Sequence, residues 1–467
     1  MKAVHKVAIL DTLVDNNVVD VENIVFLNDT ATFQNRPSNI PKTGNLSHGT
    51  LCAKIIEKYN PNAIILCIQV LEDDNFGSIS DLKKALDWCF HEGIYIVNLS
   101  LGTVNPFNRP RLLSLVNYYA NRGMTIIAAT SNKGLLTYPA SFSNVIGVAS
   151  DEVMDHKHLD SISLGIDIQV NAEHVLVVRD NFITTPKSNS FATPYVSTIV
   201  ARIVEKVNDK SISAIKNELY NHEYYTYPMA SCNEPDWISS AYFANLSSNS
   251  LDMYYFSVTD LEEADTIIVD SKEMLEKYKI YKKHMVYLGN EMVVSPNPMR
   301  FFWSKQNKIR QIVNTRIIEN RIDIPILILE QSYKLNDIET LNILKNSFKD
   351  DGYNLCAIST RVDSVLYDIE YIPEELLEQK SQIYSFVYWK TYFQKSNIVV
   401  LASNDTSKLM DIFRDMDALI RVEAIKGSVQ LFIIFKDHTL KIIYNDYCSK
   451  ELSIDIYEKI RTYFSNE

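Results

Sequence analysis

The chain has 467 residues, more than one hydrophobic core comfortably serves, so two domains are expected. Its 46% hydrophobic and 22% charged residues are ordinary for a globular protein, and a formal net charge of -12 argues against nucleic-acid or anionic-membrane partners. No stretch approaches the roughly 18 continuous apolar residues of a membrane span, and the start, Met1-Lys2-Ala3-Val4-His5-Lys6, carries no signal-peptide core. The six cysteines, Cys52, Cys67, Cys89, Cys232, Cys356 and Cys448, form no C-x-x-C pair, which is the usage of free thiols in a reducing compartment, with the cytoplasm as the expected location.

In chain order, Lys6 to Leu10 reads as a buried strand ending on Asp11-Thr12, with Asp15 close behind. A carboxylate where a strand leaves an open sheet is a usual place for a functional group, although one such Asp taken alone more often caps a turn. Gly44 to Thr50 opens a helix through Ala53, Ile55 and Ile56, which puts His48 at the helix start. The strand Ala63 to Leu71 leads into Glu72-Asp73-Asp74-Asn75-Phe76-Gly77-Ser78, and Leu82, Ala85, Leu86 and Cys89 then mark an amphipathic helix that Ser80 could cap. Tyr95 to Gly102 is an apolar strand ending in Ser100-Leu101-Gly102, followed by a helix with Leu112, Leu113, Leu115, Val116 and Tyr119. The strand Thr125 to Ala129 ends in Thr130-Ser131-Asn132-Lys133-Gly134. Strand and helix alternate, the pattern of an α/β fold whose parallel sheet carries helices on both faces. Each polar candidate falls just past a strand or at a helix start, so all of them collect along one edge of that sheet.

Ser188-Asn189-Ser190-Phe191-Ala192-Thr193-Pro194 precedes apolar residues at 196, 199, 200, 203 and 204, the period of a buried helix face. Proline suits a first helical turn, which places Ser190 at or just before the N-terminus of this core helix, near its positive end. Taken alone, Ser190 reads more readily as a simple N-cap.

Three segments in order, Asp11-Thr12-x-Val14-Asp15, Ser47-His48-Gly49-Thr50 and Ser190-x-Ala192-Thr193-Pro194, resemble the catalytic signatures of the subtilisin-like serine proteases. Asn98-Leu99-Ser100-Leu101-Gly102 resembles that family's substrate-lining strand, and Ala128 to Asn132 the strand ending in its oxyanion asparagine. Tyr138 to Val148 is similar to the segment after it, so the resemblance covers roughly residues 5 to 220. It implies a subtilisin-like three-layer fold with Ser190 as nucleophile, His48 as base, Asp11 orienting the imidazole, and Asn132 with the Ser190 N–H holding the oxyanion. It further implies that Gly77, Ser100, Leu101, Gly102, Thr130 and Ser131 line an extended peptide. The chain departs from the family at Leu13, Leu51, Ser131 and Ser188-Asn189, where relatives carry glycine, histidine, glycine and Gly-Thr. No group that does the chemistry is lost. Asp11 lies so near the start that no pro-domain is expected. No cofactor and no metal is expected either: Asp155, His156, His158 and Asp160 read as an exposed loop. The acidic run Glu72-Asp73-Asp74 beside the substrate edge suggests a basic residue upstream of the cut, with a solvated loop as the equal alternative.

The expected division is a catalytic domain over 1–222, a linker over 223–250 and a second, smaller α/β domain over 251–467. Apolar runs at 266–269, 285–288, 324–329, 355–358, 398–401 and 430–435 alternate with helical segments such as 338–348. After Leu329 comes Glu330-Gln331-Ser332-Tyr333-Lys334, with no G-K-[ST], so this half reads at most as a degenerate nucleotide-binding fold. It is expected to bind a substrate leader or a partner protein, with a purely structural role as the even alternative. The whole reads as a cytoplasmic endopeptidase cleaving one peptide, such as the leader of a ribosomally made, modified peptide. Its rivals are a transpeptidase or macrocyclase on the same acyl-enzyme, and a peptide-binding pseudoprotease.

Overall fold

The structure is a computed structural model that describes residues 6–15, 17–19, 23–27, 33–35, 46–72, 77–151, 164–221, 225–226, 234–244, 253–295, 300–330, 336–425, 428–445 and 448–465. Contacts divide the chain into two units, 1–237 and 238–467. The division falls inside the stretch expected as a linker. Asp236 is bound into the first unit, its carbonyl accepting from Asn117 Nδ2 at 2.7 Å and its carboxylate from the Ser143 N–H at 3.3 Å. Ser240–Phe243 is already a strand of the second unit.

The first unit is built on β1 (Lys6–Asp11), β2 (Asn23–Leu27), β3 (Phe33–Asn35), β4 (Ile64–Gln69), β5 (Ile96–Leu99), β6 (Thr125–Ala129), β7 (Val145–Ser150), β8 (Ile168–Val170) and β11 (Tyr225–Thr226). Two further strands, β9 (Val175–Val178) and β10 (Asn181–Thr184), pair as a separate hairpin. The nine-stranded sheet runs β11-β8-β7-β6-β5-β1-β4-β2-β3, parallel except for the antiparallel pairs at its two edges. Its helices are α1 (His48–Tyr59), α2 (Ile79–His91), α3 (Arg109–Ala120), α4 (Asn189–Lys206) and α5 (Ile212–Tyr220). Side chains alternate across a strand, and on β1 both sets are buried: Val7 and Ile9 pack with Cys52, Ile56, Val196 and Val200 of α1 and α4, while Ala8 and Leu10 point to the opposite face. A strand buried on both sides reads as a continuous apolar run, as Val7 to Leu10 does.

Two expectations need correction. Helix α2 is capped by Ser78, whose Oγ accepts from the Asp81 N–H at 3.0 Å, not by Ser80, which lies within the helix. Helix α4 begins at Asn189, so Pro194 sits in its second turn and not its first. A proline there withholds the donor that the Ser190 carbonyl would receive four residues back. The Cys52 thiol lies 3.9 Å from that carbonyl and takes part of the missing donor's place.

The second unit, expected as one smaller α/β domain, holds two sheets. The smaller is all parallel in the order β13-β12-β14-β15-β16, from β12 (Ser240–Phe243), β13 (Ser257–Val258), β14 (Thr266–Val269), β15 (His284–Tyr287) and β16 (Phe301–Trp303). The larger, ordered β19-β18-β20-β17-β21-β22-β23, joins β17 (Ile326–Glu330), β18 (Leu355–Ser359), β19 (Glu370–Tyr371), β20 (Ile398–Ser403), β21 (Ala418–Ile425), β22 (Ser428–Phe435) and β23 (Thr439–Tyr444). Helices α6 (Lys272–Tyr278), α7 (Ser304–Val313), α8 (Asp337–Asp350), α9 (Lys380–Gln394), α10 (Thr406–Ile412) and α11 (Ser449–Ser465) complete it. Among the described residues, no helix is long and apolar enough to cross a membrane.

Candidate active site

The carboxyl end of β1 and the starts of α1 and α4 converge. Asp11 is the last residue of β1 and fully buried, His48 the first residue of α1, and Ser190 the second residue of α4. The turn between β1 and α1 is locked by hydroxyls. Ser47 caps α1 by accepting from the Thr50 N–H at 3.2 Å while its own hydroxyl donates to the Leu13 carbonyl. Thr12 Oγ1 accepts from the Gly49 N–H at 2.9 Å, and Thr50 Oγ1 accepts from the Asp15 N–H at 2.9 Å. Gly49 is obligatory, since a Cβ there would lie 2.4 Å from the Thr12 carbonyl oxygen. The Asp15 carboxylate pairs with Arg179 at 3.0 Å.

His48 Nδ1 lies 2.8 and 2.9 Å from the two Asp11 oxygens, and the Thr12 N–H donates to the same carboxylate at 2.7 Å. A carboxylate can only accept, so Nδ1 carries the proton and Nε2 is left as the basic nitrogen. The ring rests against Phe191 at 4.9 Å between centroids. Burial disfavours the imidazolium, but the Cys52 sulfur and the Asp11 carboxylate favour it and prevail, holding the His48 pKa above the ordinary imidazole value. Burial also pushes the Cys52 thiol up, so at neutral pH it is uncharged and the persisting attraction is that of Asp11. Asp11, His48 and Cys52 bring metal-ligand atoms within 4.8 Å of one another, the one such group among the described residues. A cation there would need the Nδ1 proton removed and would dismantle the dyad.

Ser190 Oγ makes its hydrogen bond to Ser188 Oγ at 2.9 Å, and among the described residues none to His48. Catalytic hydrogen bonds of this kind are commonly loose until substrate closes the site. As the second residue of its helix, Ser190 has a backbone N–H with no intrahelical acceptor. Asn132, three residues past β6, accepts the Asn189 N–H on Oδ1 at 2.9 Å, which turns its Nδ2 toward Ser188 Oγ at 3.2 Å. An amide nitrogen and a free backbone N–H beside one hydroxyl make a donor pair suited to a developing oxyanion.

The residues expected to line substrate divide. Gly77 and Gly102 are exposed, with Leu101 and Ser131 half-buried. A Cβ at Gly102 would meet Thr137 Cγ2 at 2.7 Å, so a side chain there would have to displace that methyl. Ser100 is buried, its Oγ accepting from Asn98 Nδ2 at 3.0 Å and lying 3.5 Å from the Cys52 sulfur. Thr130 is buried too, its Oγ1 donating to the Val148 carbonyl at 2.9 Å. Asp73, Asp74, Asp155, His156, His158 and Asp160, and the 331–334 segment, lie outside the described residues.

Two supporting residues escaped the sequence reading. Asn189, read only as a departure from the family's Gly-Thr, is fully buried: its Oδ1 accepts the Ser150 N–H at 2.8 Å and its Nδ2 donates to Thr130 O and Oγ1, both at 3.1 Å. It clamps the turn that carries Ser190 to the ends of β6 and β7. His174 is buried between helices, Nε2 donating to the Phe191 carbonyl and Nδ1 accepting from Tyr59 OH, each at 3.1 Å. Burial holds its pKa below the ordinary value, which keeps it neutral in this bridge. The only signal for either was a polar residue inside or next to an apolar run, too common to single them out.

Residues 3–233 match the family described as "Subtilase family". The alkaline protease of Alkalihalobacillus alcalophilus is 28% identical over 229 residues, 46% of this chain and 58% of that protein. Subtilisin BL of Lederbergia lenta is also 28% identical, over 46% of this chain and 82% of that protein, and thermitase of Thermoactinomyces vulgaris is 29% identical, over 46% and 80%. The chain thus spans between about half and four fifths of these relatives' own lengths. Among solved structures, a cold adapted subtilisin-like serine proteinase aligns at TM-score 0.37 and 19% identity over 45% of this chain and 79% of that one. A lanthipeptide protease aligns at TM-score 0.34 and 16% identity over 49% and 78%.

Proposed function

The first half of this chain is a subtilase-family domain, and we propose that the protein is a serine endopeptidase that hydrolyses a peptide through an acyl-enzyme. The observation that carries the proposal is the buried Asp11 carboxylate gripping His48 Nδ1 at 2.8 and 2.9 Å at the start of α1, with Ser190 at the start of α4. In the first step Ser190 Oγ attacks the scissile carbonyl carbon and its proton passes to His48 Nε2. Asp11 stabilises the imidazolium, and Asn132 Nδ2 with the Ser190 N–H receives the oxyanion. Collapse expels the amine, which takes the proton from Nε2. Water, deprotonated by the same nitrogen, then releases the acid and restores Ser190.

We further propose that the substrate is one specific peptide, such as a leader segment, recognised with the help of residues 238–467, and that the enzyme works in a reducing compartment such as the cytoplasm. Its free cysteines, four of them buried among the five described, support that location. Incubating the full chain with a defined peptide library in ¹⁸O-labelled water tests the activity and its specificity together. Cleavage at one sequence context, label in the new carboxylate and no cleavage by Ser190→Ala are the expected results. Products joined to a peptide amine without label would establish transpeptidation, and absence of any turnover would leave peptide binding alone.

A further inference from the structure

Ser188 carries a hydroxyl two residues before the nucleophile, and its geometry is not that of a cap. A serine at this position usually turns Oγ onto an N–H of the first helical turn. Ser188 is the N-cap of α4, with extended backbone at φ -145° and ψ 143°, yet its side chain makes no capping bond. Instead its Oγ accepts from Asn132 Nδ2 at 3.2 Å and lies 2.9 Å from Ser190 Oγ. The direction of the Asn132 amide is set independently, because Oδ1 is held by the Asn189 N–H at 2.9 Å. The amide donor must therefore face Ser188.

An oxyanion formed on a carbon bonded to Ser190 Oγ has to sit beside that atom and about 2.7–3.1 Å from its donors. An oxygen already at hydrogen-bond distance from both Ser190 Oγ and Asn132 Nδ2 stands in or against that place. We propose that the Ser188 hydroxyl occupies the oxyanion position of the resting site and is displaced by the substrate carbonyl through rotation about its Cα–Cβ bond. The inference rests on the reading of Ser190 as nucleophile and Asn132 as oxyanion donor. No covalent bond changes in the displacement: Asn132 Nδ2 exchanges one acceptor oxygen for another, and Ser190 Oγ is released from Ser188 toward His48. Ser188 thereby competes with substrate in the free enzyme and is absent from the transition state. The competition raises the concentration needed for saturation and leaves the maximal rate untouched.

The test uses a fluorophosphonate probe, whose phosphoryl oxygen enters the same donor pair, on the full chain. Saturation kinetics of labelling are measured for wild type, Ser188→Ala, Ser188→Gly and Ser188→Thr, with a thermal melt to establish folding. One neutral hydrogen bond of about 1 kcal/mol corresponds to roughly fivefold. The half-saturating probe concentration is expected to fall about fivefold in the Ala and Gly variants at unchanged maximal rate, with Thr, which keeps the hydroxyl, restoring wild-type behaviour. A maximal rate that drops tenfold or more in the Ala variant would make Ser188 a third oxyanion donor and overturn the proposal, as would half-saturation that does not move. If neither folded wild type nor folded Ser188→Ala labels, the nucleophile assignment fails and this inference with it. Labelling of Ser190 with unmoved half-saturation refutes this inference alone.

Discussion

Both units place a buried carboxylate where a strand gives way to a helix, and they use it for opposite ends. In the first, Asp11 at the end of β1 meets an imidazole at the start of α1. In the second, Asp337 at the start of α8 meets the Arg361 guanidinium two residues past β18 at 2.8 Å, and accepts from Ser359 Oγ at 3.2 Å. Arg361 is also held by Asp363, and the two carboxylates, prevailing over burial, push its pKa still further up. A guanidinium never releases its proton, so that cluster can only hold structure together, whereas an imidazole can exchange one with a substrate. Similar placement in two sheets thus gives a pair able to exchange a proton in one unit and a brace in the other. The partner of the carboxylate decides, not the fold.

The largest test of this contrast is Asp11→Asn. Losing the carboxylate leaves His48 free to adopt the wrong tautomer, and the labelling rate of Ser190 is expected to fall about 10⁴-fold. The residual rate should also change its pH dependence. His48 acts as a base only when neutral, so a raised pKa puts the wild-type rate on a limb that climbs with pH through a midpoint above the ordinary imidazole value. In Asp11→Asn that midpoint should fall toward about 6.5. Asn132→Ala comes next, with a loss in maximal rate on the order of 10²–10³, for which subtilisin, a member of the same family, is the reference case.

The smallest effect on chemistry is expected from the second unit's most buried charges. Glu370 lies between Lys308 and Lys390, its contact with Lys390 measuring 2.6 Å and Lys308 fully buried. Burial alone would raise the Glu370 pKa, but the two ammonium groups overcome that and hold it at about 2. A depressed carboxylate pKa contributes stability above the unfolded value near 4.3 that is lost as the pH falls toward about 2. Glu370→Gln leaves two buried ammonium groups without their counter-charge and is expected to cost about 3–5 kcal/mol in urea unfolding, while removing that acid-side slope. Labelling of Ser190 in the folded variant should match wild type. A large loss of labelling there would erase the distinction between brace and reactive site.

That Asp11, His48, Ser190 and Asn132 sit at strand ends and helix starts was legible from the apolar period, which locates those ends within a residue or two, while the roles expected of them came from the resemblance to the subtilisin-like signatures. Pro194 misled about the start of α4 because its cost depends on whether another group serves the Ser190 carbonyl, and Cys52 is distant in sequence. The inward amide of Asn189 was illegible for the same reason, since its partners Thr130 and Ser150 come from two other strands. The period marked strands such as β14, β15, β17 and β20, but their assignment to two sheets rests on pairings between segments far apart in the chain. Ser188 shows the opposite lesson: a departure from the family pattern marked the position, and only the orientation of Asn132 gave it a role.

The most direct measurement is the pH profile of fluorophosphonate labelling of the intact chain, with the modified residue mapped by mass spectrometry. The account predicts a single adduct on Ser190, absent in Ser190→Ala, whose rate rises with pH through a midpoint above about 6.5. Folded protein that takes up no probe at any pH, or labels equally in Ser190→Ala, would contradict it.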